Sequence, residues 1–125
     1  MCQRAIEDAC GVTPKYARPP FGRANAGYLD AAAQLGISVV GAHLSIRDWS
    51  YTNERDLIFE LASKGFASKV LLFHDGVEDV PVTLKAIDWM FEQARKMRIR
   101  SVSLDEWSQF APLPKPSIHT QTAVS

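Results

Sequence analysis

The sequence is poor in the features that would commit a chain to a bilayer, to nucleic acid or to an oxidative framework. No apolar run approaches the ~20 residues needed to span a membrane, and none of the 125 residues forms such a segment. Fourteen basic residues are matched by fourteen acidic ones, for a formal net charge of +0. Without a basic surplus, nucleic acid is not an expected partner. The opening stretch, MCQRAIEDAC, has acids where an export signal needs an unbroken apolar core, so no signal peptide is expected and the compartment stays open. Cysteine is nearly absent. Cys2 and Cys10 are the two thiols, and eight helical steps of about 1.5 Å would part them by roughly 12 Å, beyond the ~7 Å that a disulfide tolerates. Two reduced, partly buried thiols are expected. His43, His74 and His119 are the histidines, and no two have the spacing of a metal-ligand pair.

What remains is ordinary globular material: 46% hydrophobic and 22% charged residues, in a length that suits one domain. Residues 1–10 carry Ala5, Ile6, Ala9 and Cys10 at helical spacing, with Gly11 placed to end the helix. Pro14, Pro19 and Pro20 force residues 12–22 to be extended or loop. Asn25 is positioned to cap a helix through Leu35, which Gly36 ends. Ile37-Ser38-Val39-Val40 has the composition of a short buried strand. Asn53 is placed to cap a third helix, with Asp56 three positions on, Leu57, Ile58 and Leu61 inward, and Gly65 as the stop.

The strongest strand pattern is Lys69-Val70-Leu71-Leu72-Phe73, which runs into the turn signal His74-Asp75-Gly76. Thr83 opens the best helical pattern, with Leu84, Ile87, Met90, Phe91, Ala94 and Met97 on one stripe. Arg95, Lys96 and Arg98 fall at its end, where the helix dipole favours cations. A last strand is expected over residues 100–104 and a short helical or turn segment over 106–110. Residues 111–125 are Pro-rich, polar and aperiodic, and read as a disordered tail. Alternating strands and helices point to an α/β class with three to four parallel strands and about four helices. So narrow a parallel sheet leaves apolar edges unpaired, so the chain reads as part of a larger wound sheet or barrel.

In parallel α/β folds the chemistry gathers where strands give way to helices. Three segments qualify: Arg18–Gly22, Asp48-Trp49 and His74-Asp75. Taken together, ARPPFG at residues 17–22, RDW at 47–49 and LLFHDG at 71–76 resemble, in order, the later motifs of the polysaccharide deacetylase domain, also called the NodB homology domain. The resemblance covers residues 1–110. It implies a distorted (β/α) barrel, here partial, and a metal-dependent hydrolase that removes acetyl groups from N-acetylated sugars.

The same resemblance implies roles residue by residue. His74 matches the general acid, and Asp48 the carboxylate that orients it. Trp49 matches the aromatic wall of the sugar groove, and Leu72 the apolar contact for the acetyl methyl. Phe21, where the family more often has tyrosine, would donate its backbone N–H to the oxyanion. Arg18 matches the arginine that positions the base. An amide is a poor electrophile and an amine a poor leaving group, so an activated water, an oxyanion clamp and a proton donor are all needed.

Two of the family's motifs do not occur in these residues: Thr-Phe-Asp-Asp, which supplies the base and a metal ligand, and His-x-x-x-His, which supplies two more. No metal ligand is assigned to this chain, although zinc or a similar divalent metal is expected for a complete domain. The expectation is therefore a truncated carbohydrate N-deacetylase, inactive alone, with an N-acetylated polysaccharide or oligosaccharide as partner and with the amino-terminal half of the barrel as a second one. A non-catalytic carbohydrate-binding pseudoenzyme is the alternative.

Overall fold

The computed structural model describes residues 2–76 and 80–118. Among them are five α-helices and six two-residue strands. The strands form three separate parallel pairs, so the class is mixed α/β, with shorter and more numerous strands than the apolar runs suggest. Two compact units divide the chain, one from residues 1–41 with 113–125 and the other from residues 42–112.

In the first unit, helix α1 (Cys2–Cys10) contains no buried residue. Its apolar stripe is real in sequence but uncovered, and Cys2 and Cys10 are both exposed free thiols rather than partly buried ones. Strand β1 (Tyr16–Ala17) pairs with β3 (Ser38–Val39). The proline-rich stretch between β1 and helix α2 is extended apart from a short 3-10 turn at Pro20–Gly22, followed by β2 (Arg23–Ala24). Asn25 caps α2 (Ala26–Gln34) by accepting a hydrogen bond from the Tyr28 N–H at 2.8 Å. Gly36, at φ +69°, ends it with the Ile37 N–H reaching back to the Ala32 carbonyl, a left-handed C-terminal motif that suits glycine.

Residues 113–118 fall in the stretch expected to fray. There, strand β6 (Ser117–Ile118) pairs in parallel with β2, and the Gly41 N–H donates to the Pro114 carbonyl at 2.7 Å. Residues 119–125, including His119, lie outside the described residues.

The second unit holds the main hydrophobic core. Strand β4 (Leu44–Ser45) pairs with β5 (Leu71–Leu72). Leu44 and Ile46 pack with Leu57 and Leu61 of α3 (Glu54–Lys64) and with Ala86 of α4 (Val80–Lys96). Asn53 caps α3 as its position suggests, accepting from the Asp56 N–H at 3.0 Å while its amide donates to the Asp56 carboxylate at 2.8 Å. Leu57 and Leu61, one turn apart, are both fully buried. The cap and this i, i+4 pair explain both the start and the inward face of the helix.

Three expectations need correction in this unit. Helix α4 begins at Val80, so Thr83 lies inside it instead of opening it. Arg98 is not in its last turn; it sits just beyond, at φ +56°, with Ile99 N–H donating to the Ala94 carbonyl at 2.8 Å. Residues 100–104 form no strand. Ser103 instead caps a short helix α5 (Leu104–Trp107), accepting from the Glu106 N–H at 3.2 Å, and Arg100 pairs with Glu106. The Ser103 carbonyl accepts from the Trp107 N–H at 2.9 Å, which commits its backbone to the helix instead of to a strand. Together with β5 and α4 the segment instead lines a cavity of about 890 Å³.

Candidate functional site

The second unit brings four of the six sequence-predicted residues to one region of its fold. After β4 the chain turns through a 3-10 turn, Asp48–Ser50, which packs on α4. After β5 it passes directly to His74. Parallel pairing of β4 with β5 carries both exits to the same end of the pair, and so sets the acid beside the imidazole.

Asp48 is fully buried, whereas the side chain of His74 is 33% exposed. One carboxylate oxygen, Oδ1, lies 2.7 Å from His74 Nδ1. The other, Oδ2, accepts from the His74 backbone N–H at 3.0 Å and from the Thr83 hydroxyl at 3.0 Å. With the backbone N–H and the hydroxyl both donating to it, the carboxylate acts as an acceptor, and Nδ1 is the ring's donor. That fixes the imidazole plane and leaves Nε2 as the reactive nitrogen. A buried carboxylate with three donors is a satisfied charge, which its burial requires.

Trp49 stands edge-on to His74, with ring centroids 4.3 Å apart at 79°. This is a favourable aromatic geometry that closes one flank of the imidazole. The Arg47 guanidinium lies 5.9 Å from the Trp49 ring centroid, within cation–π range. Leu72 is half-buried on β5, two residues before His74.

Arg18 and Phe21 belong to the first unit and are described there alone. The Arg18 guanidinium donates to the Gly41 carbonyl at 3.2 Å. Phe21 is 98% exposed and holds φ +57° and ψ +16°, a left-handed conformation that costs a non-glycine residue on the order of 1 kcal/mol or more. Pro19 and Pro20 before it stiffen the loop against relaxation.

Thr83 is a site residue that the sequence does not single out, since its pattern reads as the opening of a helix. Its signal was available. It lies on the same stripe as Ala86 and Met90, and a hydroxyl on a buried apolar stripe demands a polar partner.

A divalent metal does not fit the described residues. No three His, Cys, Asp or Glu side chains converge among them. Asp48 and His74 satisfy one another, His43 Nδ1 accepts from the Val70 N–H at 3.0 Å, and Glu54, Glu60, Glu92 and Glu106 are each paired with a cation. Among the described residues no helix is long and apolar enough to cross a membrane.

Comparison with known proteins places the first 40 residues. Residues 1–40 match the sequence model of the polysaccharide deacetylase family. A chitin deacetylase of Amylomyces rouxii is 44% identical over 48 residues, 38% of this chain and 11% of that protein. The match thus spans about a tenth of the length of this curated relative.

Proposed function

We propose that this chain, whose residues 1–40 match the polysaccharide deacetylase family model, contributes the proton-donating side of a pocket hydrolysing the acetamide C–N bond of N-acetylated sugars in a polysaccharide, on a (β/α) barrel of the NodB type. One observation carries the reading: His74 Nδ1 sits 2.7 Å from a fully buried Asp48 carboxylate. The relative's printed name makes chitin the first substrate to try.

In this reading water gives up a proton to the base carried by the part of the domain with Thr-Phe-Asp-Asp as its oxygen adds to the acetamide carbonyl carbon, and the tetrahedral intermediate collapses by breaking the C–N bond. The departing nitrogen must gain a proton as it leaves. His74, in its doubly protonated form, supplies it from Nε2 and is left as the neutral ring with Nδ1–H on Asp48. Trp49 packs against the sugar ring and Leu72 against the acetyl methyl. In the first unit, the family resemblance would give the Phe21 backbone N–H the role of oxyanion donor, an interaction worth about 3 kcal/mol in comparable sites, and Arg18 the role of positioning the base. The products are acetate and a free amino sugar. The described residues do not hold a metal, and no step is assigned to one.

The test mixes the chain with a polypeptide carrying Thr-Phe-Asp-Asp and His-x-x-x-His, in the presence of zinc, and measures acetate released from chitooligosaccharides. The chain alone should release none and the mixture should. His74→Ala should lower the mixture's rate about 100- to 10,000-fold, the usual contribution of a positioned acid, while His119→Ala leaves it unchanged. Equal losses from both variants would remove the general-acid assignment. Sugar binding with no acetate under any condition would replace the hydrolytic reading by a binding one.

A further inference from the structure

The Asp48 carboxylate is fixed from a helix as well as from its own strand exit. Thr83 is only 3% exposed and lies 35 positions from Asp48 in sequence, yet its hydroxyl reaches Oδ2 at 3.0 Å. Its neighbours on the buried stripe of α4 are Ala86 and Met90, where valine would pack equally well and need no partner. A β-branched side chain has few rotamers on a helix, so the hydroxyl takes its position from the backbone of α4. Two donors on Oδ2 decide which way the carboxylate faces, and only that orientation leaves Oδ1 in line with His74 Nδ1.

We infer that Thr83 is a positioning residue: through Asp48, the hydroxyl on α4 keeps the His74 Nδ1–H on the carboxylate, so that Nε2 is the nitrogen that faces the site, unprotonated in the neutral ring and the donor once the ring is doubly protonated. The inference rests on the general-acid reading of His74 for its catalytic consequence, but not for its structural one. With Thr83 removed, Oδ2 keeps a single donor, the carboxylate can swing, and the imidazole loses the constraint that selects its tautomer.

The experiment is 15N NMR of the His74 ring in the full chain, at a pH where the ring is neutral. The wild type and Thr83→Ser should show a protonated Nδ1 and an unprotonated Nε2 as two well-separated signals. In Thr83→Val, which keeps the shape without the hydroxyl, the two signals should move toward each other as the second tautomer becomes populated. In the reconstituted deacetylase mixture, Thr83→Val should lower kcat about tenfold with KM unchanged, and Thr83→Ser should restore it.

A wild-type ring pattern in folded Thr83→Val would overturn the inference. If Thr83→Val does not fold, Thr83→Ala is read in the same way. If neither folds, the inference also fails, since the hydroxyl would then be holding the fold instead of the imidazole. The ring spectrum needs no substrate. A tautomer shift without acetate release would therefore sink the functional reading alone, and acetate release without a shift would sink the role of Thr83 alone.

Discussion

The segment with the Arg-Pro-Pro-Phe-Gly loop and the segment with the Asp48–His74 pair are built on different foundations. The second unit seats its dyad beside fully buried Leu57 and Leu61 and a cluster that spans β4, α3 and α4. In the first unit the buried hydrophobics are Ala24, Ala32 and Val40, two of them alanines, while α1 buries nothing. The loop there keeps its shape through two prolines, a left-handed Phe21 and the Arg18 bond to Gly41. The family model matches residues 1–40, in the unit whose described residues bury fewer large side chains, whereas the acid–imidazole geometry arises in the other unit. Each unit thus brings its own line of support, one from relatedness and one from geometry.

The largest expected effect separates the two units by their packing. Leu57→Ala should destabilise the protein by about 2–5 kcal/mol, as is usual for a fully buried leucine. Ile6→Ala, at a residue 40% exposed, should cost less than about 1 kcal/mol. Urea unfolding of both variants measures the difference, and equal losses would show that α1 is buried against something in solution.

A second prediction concerns close backbone approach in the first unit. A Cβ placed on Gly41 would overlap the Lys115 carbonyl. Gly41→Ala should therefore cost about 1–3 kcal/mol, the range for forced overpacking, and should release amide protection at Gly41, whose N–H bonds Pro114. Unchanged hydrogen exchange at that amide would mean that residues 113–118 do not rest on Gly41.

The smallest effect is electrostatic and belongs to the second unit. The Glu54 carboxyl is held below its ordinary value of 4.5, first by its own backbone N–H at the start of α3 and then by the Lys85 ammonium of α4. A depressed carboxyl stabilises the fold above its unfolded value, and the contribution disappears as the pH falls through the folded one. The stability gap between the wild type and Glu54→Gln should be widest above the ordinary carboxyl value of 4.5 and should close as the pH falls below it. A gap that widens on acidification would contradict the assignment.

Local chemistry was readable from sequence and long-range pairing was not. Asn25 and Asn53 announce α2 and α3 because a cap acts within three residues. Gly36 announces the end of α2 for the same reason. The short strand β4 has no local signal, since Leu44-Ser45 becomes a strand only by meeting Leu71-Leu72. Residues 100–104 carry strand composition, but the cap and the first backbone bond of α5 at Ser103 win.

At the site, the motif order pointed to Asp48 and His74, while Thr83 stayed hidden because its partner lies 35 positions away. The exposure of Cys2 and Cys10 is not legible either, since an amphipathic pattern says which face can be buried but not whether anything covers it.

The central claim is that Asp48 acts through His74. It is tested most directly by kcat/KM for acetate release in the reconstituted mixture with Asp48→Asn, His74→Ala and the double variant. Residues that work as a unit are not additive, so the double variant should be no slower than His74→Ala alone. If the two single losses multiply instead, Asp48 and His74 act independently and the account fails.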